Sequence, residues 1–369
     1  MTAASEDVRW MRRALELAAK GKGRVEPNPP VGAVIIRDGR LIGEAYHERF
    51  GGPHAEIRAM EAAGDCGGAT LYVTLEPCTG LKKKTPPCCD AVIKAGFRRV
   101  VIGTNDPTQE RALPPLDAAG IEVSSGVLEE DCRRMIAPFV KLRTKGMPYV
   151  IAKWAMTADG KIATVTGESR WISSEPAREL VHQWRNQVDA VLIGLGAARR
   201  DDPLLTCRIA GGRNPTRIVL DANAELPADS RLISSIHEAP LIVACLTSAP
   251  EEKCRMLSNA GCRVLQLPGR EAEVDVEALL RCLGAEDVTN LMIEGGGEVS
   301  GYLFDHGLVD EVRIFIAPKL FGGRSAPSPV GGQGILSPAD ALNLKHVTWT
   351  QVGSDMLLTG TVRQDDERR

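Results

Sequence analysis

His54-Ala55-Glu56, Glu76-Pro77-Cys78 and Thr85-Pro86-Pro87-Cys88-Cys89 mark out the stretch from which the fold of this chain is read. One imidazole and two thiolates, from His54, Cys78 and Cys88, suit a borderline-soft divalent zinc ion. Three protein ligands leave the fourth tetrahedral position open to water, and bound zinc lowers the pKa of that water towards about 7. Glu56 lies two residues from His54 and is not needed as a ligand, so it is free to carry protons. Cys89 is the ambiguous sulfur. If Cys88 opens a helix as a ligand, Cys89 points about 100° away from it and packs elsewhere.

The ordinary reading of a lone histidine and two cysteines is a surface imidazole and buried thiols. The combination argues otherwise: H-A-E, then E-P-C after the apolar run 69–75, then P-P-C at the start of a helical stretch. That is the H-x-E…P-C order of zinc-dependent deaminases, with the carboxylate as proton shuttle. The spacing is unusual, because nine residues separate Cys78 from Cys88 where nucleoside deaminases have two.

Outward from this stretch, 369 residues predict two domains of ordinary size. A hydrophobic share of 43% supports real cores, and 25% charged residues with net charge −3 make an ordinary soluble surface. No basic excess points to nucleic acid, and no apolar run has the length of a membrane span or signal sequence. The ten cysteines are dispersed apart from one cluster, which favours reduced thiols and a metal site in the cytoplasm over a disulfide framework.

In chain order, a helix is expected over 6–20, a rigid Pro27-Asn28-Pro29-Pro30 turn, a strand over 33–37, an Asp38-Gly39 hairpin turn and a strand over 41–46. His54 opens a helix, strands follow at 70–75 and 100–103, with helices at 89–95 and 116–119 and a strand at 121–124. The charged helical connector 129–145 is expected to break at Pro138, and the domain boundary to fall at 145/146. Beyond it, strand-like runs start near 149, 190, 217, 241, 263, 290 and 311, with helices at 175–187 and 275–283. Both halves therefore read as α/β. In the second, Gly194-Leu195-Gly196 and Gly295-Gly296-Gly297 each follow a strand, and two such junctions suit a pyrophosphate-bearing cofactor better than either alone.

The motifs Pro27-Asn28-Pro29-Pro30-Val31-Gly32, Tyr46-His47, H-A-E, Leu75-Glu76-Pro77-Cys78 and Thr85–Ala91 resemble the bifunctional riboflavin-biosynthesis deaminase/reductase family. Lys153–Ala163, Gly167–Ile172, Asp201–Arg208, Glu294-Gly295-Gly296 and Val309-Asp310-Glu311 carry the resemblance through the second half. It implies a cytidine-deaminase-like three-layer α/β/α domain over 1–145 and a dihydrofolate-reductase-like α/β domain over 146–369. It also implies zinc on His54, Cys78 and Cys88, with Glu56 as the catalytic proton carrier. The substrate, a phosphorylated pyrimidine, would meet Asn28, His47 and Lys84 in the first half, and Ser169, Arg185, Leu205, Arg208 and Glu294 in the second. NADPH would lie along Ala155, Trp171, Ala197, Asp201, Gly296, Gly297, Glu298, Val299, Ser300, Gly301 and Tyr302. A homodimer through the reductase half follows by the same analogy.

Read singly, several of these residues have plainer roles. Asn28 is a turn residue between prolines, Lys82 to Lys84 a solvated loop tip, Arg185 a solvated helix face beside Arg178, Trp171 a core residue and Asp201 a cap. Arg185 and Arg208 are the chemical candidates for a phosphate, since guanidinium groups bind its oxygens in pairs. Arg199 and Arg200 suit a cofactor 2′-phosphate or solvent equally. Departures from the family fall at Thr79–Lys84, at Asp106–Arg111 and at Ala197-Ala198, where relatives commonly carry Thr-Val. They keep two alternatives open: the same architecture acting on a related pyrimidine, or a zinc-stabilised domain beside a working reductase. No proton donor for the reductase is identified, Asp201 being a possible helper.

Overall fold

The computed structural model describes residues 3–80, 87–109, 111–270 and 273–362. The chain divides into two compact units, Met1–Gly146 and Met147–Arg369, one residue beyond the expected boundary. Among the described residues, no helix is long and apolar enough to cross a membrane.

The first unit runs α1 (Ala3–Ala19), β1 (Gly32–Arg37), β2 (Arg40–Tyr46), α2 (Ala55–Ala63), β3 (Thr70–Leu75), α3 (Cys88–Lys94), β4 (Arg99–Thr104), α4 (Leu113–Ala118), β5 (Glu122–Ser125) and α5 (Glu129–Lys145). Its sheet has the order β2-β1-β3-β4-β5, antiparallel at β2-β1-β3 and parallel from β3 to β5. The period of two along buried strands divides the side chains between two cores. Ala33, Ile35, Leu71, Val73, Val100 and Ile102 pack with Ala55 and Ala59 of α2 and Val92 of α3. Val34, Ile36, Tyr72 and Val101 pack with Met11 and Ala14 of α1. This is the three-layer α/β/α arrangement. Contact across it is close at Gly32, where a Cβ would stand 2.0 Å from the Ala14 carbonyl oxygen.

One expectation is corrected here. Helix α5 is not broken at Pro138 but runs unbroken from Glu129 to Lys145 and ends on Gly146 in the left-handed region. Pro138 gives up one backbone hydrogen bond. Burial of Cys132, Ile136, Phe139 and Leu142, on both sides of the proline, holds the helix together regardless.

The second unit runs β6 (Tyr149–Thr157), α6 (Glu175–Gln187), β7 (Ala190–Gly194), α7 (Leu195–Asp201), β8 (Thr216–Leu220), α8 (Arg231–Ser234), β9 (Leu241–Leu246), α9 (Glu251–Asn259), β10 (Arg263–Leu267), the short pair β11 (Gly269–Arg270) and β12 (Glu273–Val274), then α10 (Val276–Ala285), β13 (Asn290–Ile293), α11 (Gly297–Asp305) and β14 (Glu311–Ala317). It closes with a hairpin, β15 (Leu344–Val352) and β16 (Asp355–Val362), which the sequence reading did not place. The sheet order is β10-β9-β8-β7-β13-β6-β14-β16-β15, parallel up to β14 and antiparallel in the last two strands. Its near-continuous apolar strands carry the core on Leu192, Ile218, Ile242, Leu291 and Ile293, as sheets covered on both faces require. Strands β7 and β13 pair directly, so both glycine-bearing strand ends lie side by side at the carboxyl edge. Ligands bind at that edge in open α/β sheets.

Candidate active sites

In the first unit, three ligand atoms converge from three elements. His54 is the N-cap of α2, Cys78 follows β3 and Cys88 opens α3. His54 Nδ1 lies 3.6 Å from Cys78 Sγ and 3.2 Å from Cys88 Sγ, and the three ligand atoms all fall within 4.8 Å of one another. Zn–S bonds of about 2.3 Å and Zn–N bonds of about 2.0 Å at a tetrahedral angle separate N from S by roughly 3.6 Å, so the donor set fits zinc. The Cys88 backbone N–H also donates to Cys78 Sγ at 3.3 Å. A hydrogen bond from the Cys88 side chain, with His54 and that N–H helping, pulls the Cys78 thiol far below its ordinary pKa. Cys89 is buried in the apolar core with Val92, as the helical offset predicts.

Glu56 lies in the first turn of α2 and is only 3% exposed. Burial raises its pKa, with the neighbouring His54 opposing the shift. His47 and Asn28 stand beside the same centre. The His47 ring sits edge-on to His54 with centroids 5.3 Å apart. His47 Nδ1–H donates to the Pro53 carbonyl at 3.0 Å, so Nε2 is the acceptor and Asn28 Nδ2 donates to it at 3.2 Å. Burial lowers the His47 pKa, in keeping with that neutral form. The Asn28 carbonyl oxygen is left for the cavity that Asn28 lines. That cavity measures about 660 Å³ and is also walled by Glu56, Cys78, Gln109, Phe139 and Arg143. Lys84 lies outside the described residues.

The sequence reading marked 106–111 as a departure from the family but gave its residues no role; Asp106, Pro107, Thr108 and Gln109 line this cavity. Buried Glu76 accepts from the Asp106 and Ala112 backbone N–H groups at 3.2 and 2.6 Å, and Arg111 Nε stands 3.4 Å from it. Gln109 accepts from Thr79 N–H at 3.4 Å and donates to the Pro77 carbonyl at 3.3 Å, bracing both neighbours of Cys78. Arg143 lies over the Phe139 ring at 5.9 Å. The one signal available was the departure of 106–111 from the family pattern.

In the second unit, Arg185 of α6 grips Glu294 after β13 through two bonds, 2.6 and 2.8 Å long. Lys153 Nζ of β6 lies 4.0 Å from the same carboxylate. Burial pushes the Glu294 pKa up, but Arg185 and then Lys153 pull it below the ordinary value. Burial lowers the Lys153 pKa. Arg185 is therefore buried, not a solvated helix face. Ser169 Oγ donates to Asp201 Oδ1 at 3.1 Å, joining a residue expected at the substrate to one expected at the cofactor. Leu205 is buried, and its backbone is left-handed at φ 56°. Trp171 is 61% exposed and carries Arg178 over its ring at 4.6 Å, so it is no core residue. His182, unnoticed in the sequence, donates from Nδ1 to the Thr206 carbonyl at 3.2 Å.

The glycines of the two strand ends divide by role. Gly295 and Gly296 adopt φ 113° and 88° to turn β13 into α11, a conformation other residues resist. A Cβ at Gly196 or Gly295 would meet nothing within 4 Å, so open space borders bare backbone at both junctions. Gly297 and Gly301 instead admit the chain at 328–332, where added Cβ atoms would stand 2.7 Å from Ser328 O and 2.3 Å from Gly331 C. Ser300 is buried with them, and Tyr302 stacks on His306 with centroids 4.0 Å apart. Ala155 lies on β6 next to Phe315 in register, while Ala197, Glu298 and Val299 occupy the first turns of α7 and α11.

Residues 4–104 match the cytidine and deoxycytidylate deaminase zinc-binding region, and residues 148–358 match the RibD C-terminal domain. The riboflavin biosynthesis protein RibD of Actinobacillus pleuropneumoniae is 40% identical over 95% of this chain and 94% of its own length. The chain belongs to the RibD family. RibD of Aquifex aeolicus strain VF5 is likewise 40% identical, over 95% of this chain and 97% of its own. The crystal structure of a diaminohydroxyphosphoribosylaminopyrimidine deaminase/5-amino-6-(5-phosphoribosylamino)uracil reductase from Thermotoga maritima superposes with a TM-score of 0.83 at 37% identity, covering 98% of this chain and 100% of that one. The chain thus has the RibD architecture, a zinc-deaminase-like unit followed by a reductase-like α/β unit, and the first carries a His/Cys cluster able to hold a metal ion.

Proposed function

We propose that the first unit removes the 2-amino group of 2,5-diamino-6-ribosylamino-4(3H)-pyrimidinone 5′-phosphate and that the second reduces the ribosyl group of the product to ribityl with NADPH. The observation that carries the reading is the His54, Cys78 and Cys88 cluster with buried Glu56 beside it in a cavity of about 660 Å³. A structural zinc has no use for that carboxylate.

Zinc, when bound, supplies Lewis acidity that makes water a nucleophile at neutral pH. The chain does the rest. Glu56 takes a proton from the attacking water and passes it to the departing nitrogen, so ammonia leaves and a carbonyl remains at C2. The Asn28 carbonyl oxygen, fixed through His47 and Pro53, accepts from a ring N–H or amino group and sets the ring's orientation.

In the second unit, the open space beside Gly196 and Gly295 fits the dinucleotide, whose own chemistry supplies the hydride for C1′. Ionised Glu294 holds Lys153 in place, and Lys153 Nζ gives a proton to the substrate nitrogen more readily than a surface lysine does, because burial lowers its pKa. Asp201 accepts from Ser169 Oγ and so holds that hydroxyl in position.

The test is a paired assay on zinc-loaded protein. Ammonia release from the diaminopyrimidine and stoichiometric NADPH oxidation after it are expected. Protein silent in both, with zinc bound, would show that the architecture serves another substrate.

A further inference from the structure

One wall of the cavity in the first unit takes no part in the chemistry at the metal cluster. That wall is helix α5, which contributes Phe139, Arg143 and Thr144 to the lining. Phe139 and Arg143 are four positions apart and so share one face of the helix. The Arg143 guanidinium carbon lies 5.9 Å over the Phe139 ring, and Phe139 is only 9% exposed, a fixed floor for the arginine stem. The helix end is pinned as well, because Gly146 is left-handed at φ 65° and its N–H donates to Leu142 O at 3.0 Å. Arg143 itself is exposed, whereas Glu56 and Cys78 are buried. The guanidinium therefore stands at the mouth of the cavity and the reacting groups at its floor.

Charge is spread unevenly around this lining. Among the described residues that line the cavity, Arg143 is the only one with a fixed positive charge, against Glu56, Glu76 and Asp106. Glu76 accepts from the Asp106 and Ala112 backbone N–H groups, and Asp106 Oδ1 accepts from Thr108 N–H at 2.9 Å and from Thr108 Oγ1 at 2.7 Å. These bonds fix the wall at 106–109 with its carboxylates in place, and like charge there repels an anion. Thr144 donates its hydroxyl hydrogen to Val140 O at 2.7 Å. A dianion entering the cavity is thus turned away from one wall and drawn to Arg143 on the other.

We propose that Arg143 is a specificity-determining residue of the deaminase unit, binding the 5′-phosphate of the pyrimidine at the cavity mouth while Asn28 and the metal cluster hold the ring. The inference rests on the reading that the first unit deaminates a phosphorylated pyrimidine, and it adds a residue that the sequence reading assigned to no site. A planar guanidinium meets two phosphate oxygens at once, which a point charge does not. Arg143 also lies in the last turn of α5, where the carbonyl ends carry partial negative charge. An anion is tolerated there only beside a cation. The second unit has its own phosphate candidate in Arg208, left-handed at φ 50° after α7, so its turnover serves as an internal control.

The experiment compares full-length zinc-loaded protein with Arg143→Met, Arg143→Lys and Lys84→Met, on the phosphorylated diaminopyrimidine and on its dephosphorylated nucleoside. In ammonia release, Arg143→Met raises the KM for the phosphorylated compound about tenfold or more, as loss of a charge-assisted bond implies, and moves the KM for the nucleoside less than about twofold. Arg143→Lys recovers part of the loss. Zinc content and NADPH oxidation with pre-deaminated substrate stay at wild-type levels. Equal changes on both compounds would show a helix-packing role and overturn the inference. A phosphorylated KM unchanged in Arg143→Met would overturn it too, and a loss in Lys84→Met alone would hand the phosphate to that lysine. Calorimetry in the Glu56→Gln background measures binding without turnover. Wild-type protein that releases no ammonia, with Glu56→Gln binding the phosphorylated compound about tenfold tighter than Glu56→Gln/Arg143→Met, would sink the deamination reading and leave the receptor standing. Equal binding of the phosphorylated compound and the nucleoside by Glu56→Gln would remove the receptor itself.

Discussion

Arg185 and Glu294 stand 109 positions apart in the chain and form a parallel pair of charged hydrogen bonds, Nε to Oε1 at 2.6 Å and Nη2 to Oε2 at 2.8 Å. Both side chains are nearly closed to solvent. Removing one partner leaves the other buried and unmatched, so Arg185→Met is expected to destabilise the second unit by about 3–5 kcal/mol. Urea denaturation of the variant checks this, and a loss below about 1 kcal/mol, the worth of an exposed pair, contradicts it.

The same pair sets a pH dependence. Against burial, which pushes it up, Arg185 and Lys153 hold the Glu294 pKa below its ordinary value. The folded state therefore binds fewer protons than the unfolded state across that interval. The contribution is fully present above the unfolded carboxyl value, about 4.3, and is lost as pH falls through the folded one. Melting curves between pH 6 and pH 3 are expected to fall more steeply for the wild type than for Glu294→Gln. Parallel curves would refute the linkage.

Glu56→Gln keeps the shape of the side chain and removes its basic oxygen. Ammonia release is expected to fall by about 10²–10⁴. Zinc content and NADPH oxidation with pre-deaminated substrate are expected to stay at wild-type levels. A variant that still releases ammonia at the normal rate would remove Glu56 from the proton path.

Gln109→Ala removes both braces on the residues that flank Cys78. Such supporting contacts are commonly worth about 10–100-fold in metal affinity or activity. Competition with a chelator is expected to strip zinc from the variant about tenfold more easily. Equal retention would reduce Gln109 to a loop-packing residue.

Much of this was legible in the chain because it is local. Thr70–Leu75 reads as a buried strand from its own residues, and Asp38-Gly39 as a hairpin turn from its own φ requirement. His54 and Glu56 are fixed by helical geometry, and Cys88 by its place at a helix start. What the sequence hid was set by distant partners. Pro138 reads as a break until the burial of Ile136 and Phe139 on either side of it is known. Arg185 reads as a solvated helix face until its two-pronged pairing with Glu294 is seen. The hairpin of β15 and β16 interleaves Thr, Lys and Gln with Leu, Val, Trp and Met, without a clean alternation of apolar and polar residues. Its strand character comes from pairing along β14, which adjacent sequence does not display.

X-ray absorption at the zinc edge of the purified protein addresses the central claim most directly. The account predicts about one zinc per chain, two sulfur ligands near about 2.3 Å and two nitrogen or oxygen ligands near about 2.0–2.1 Å, one of them exchangeable. A shell of four sulfurs, or one without sulfur, would contradict the assignment of His54, Cys78 and Cys88.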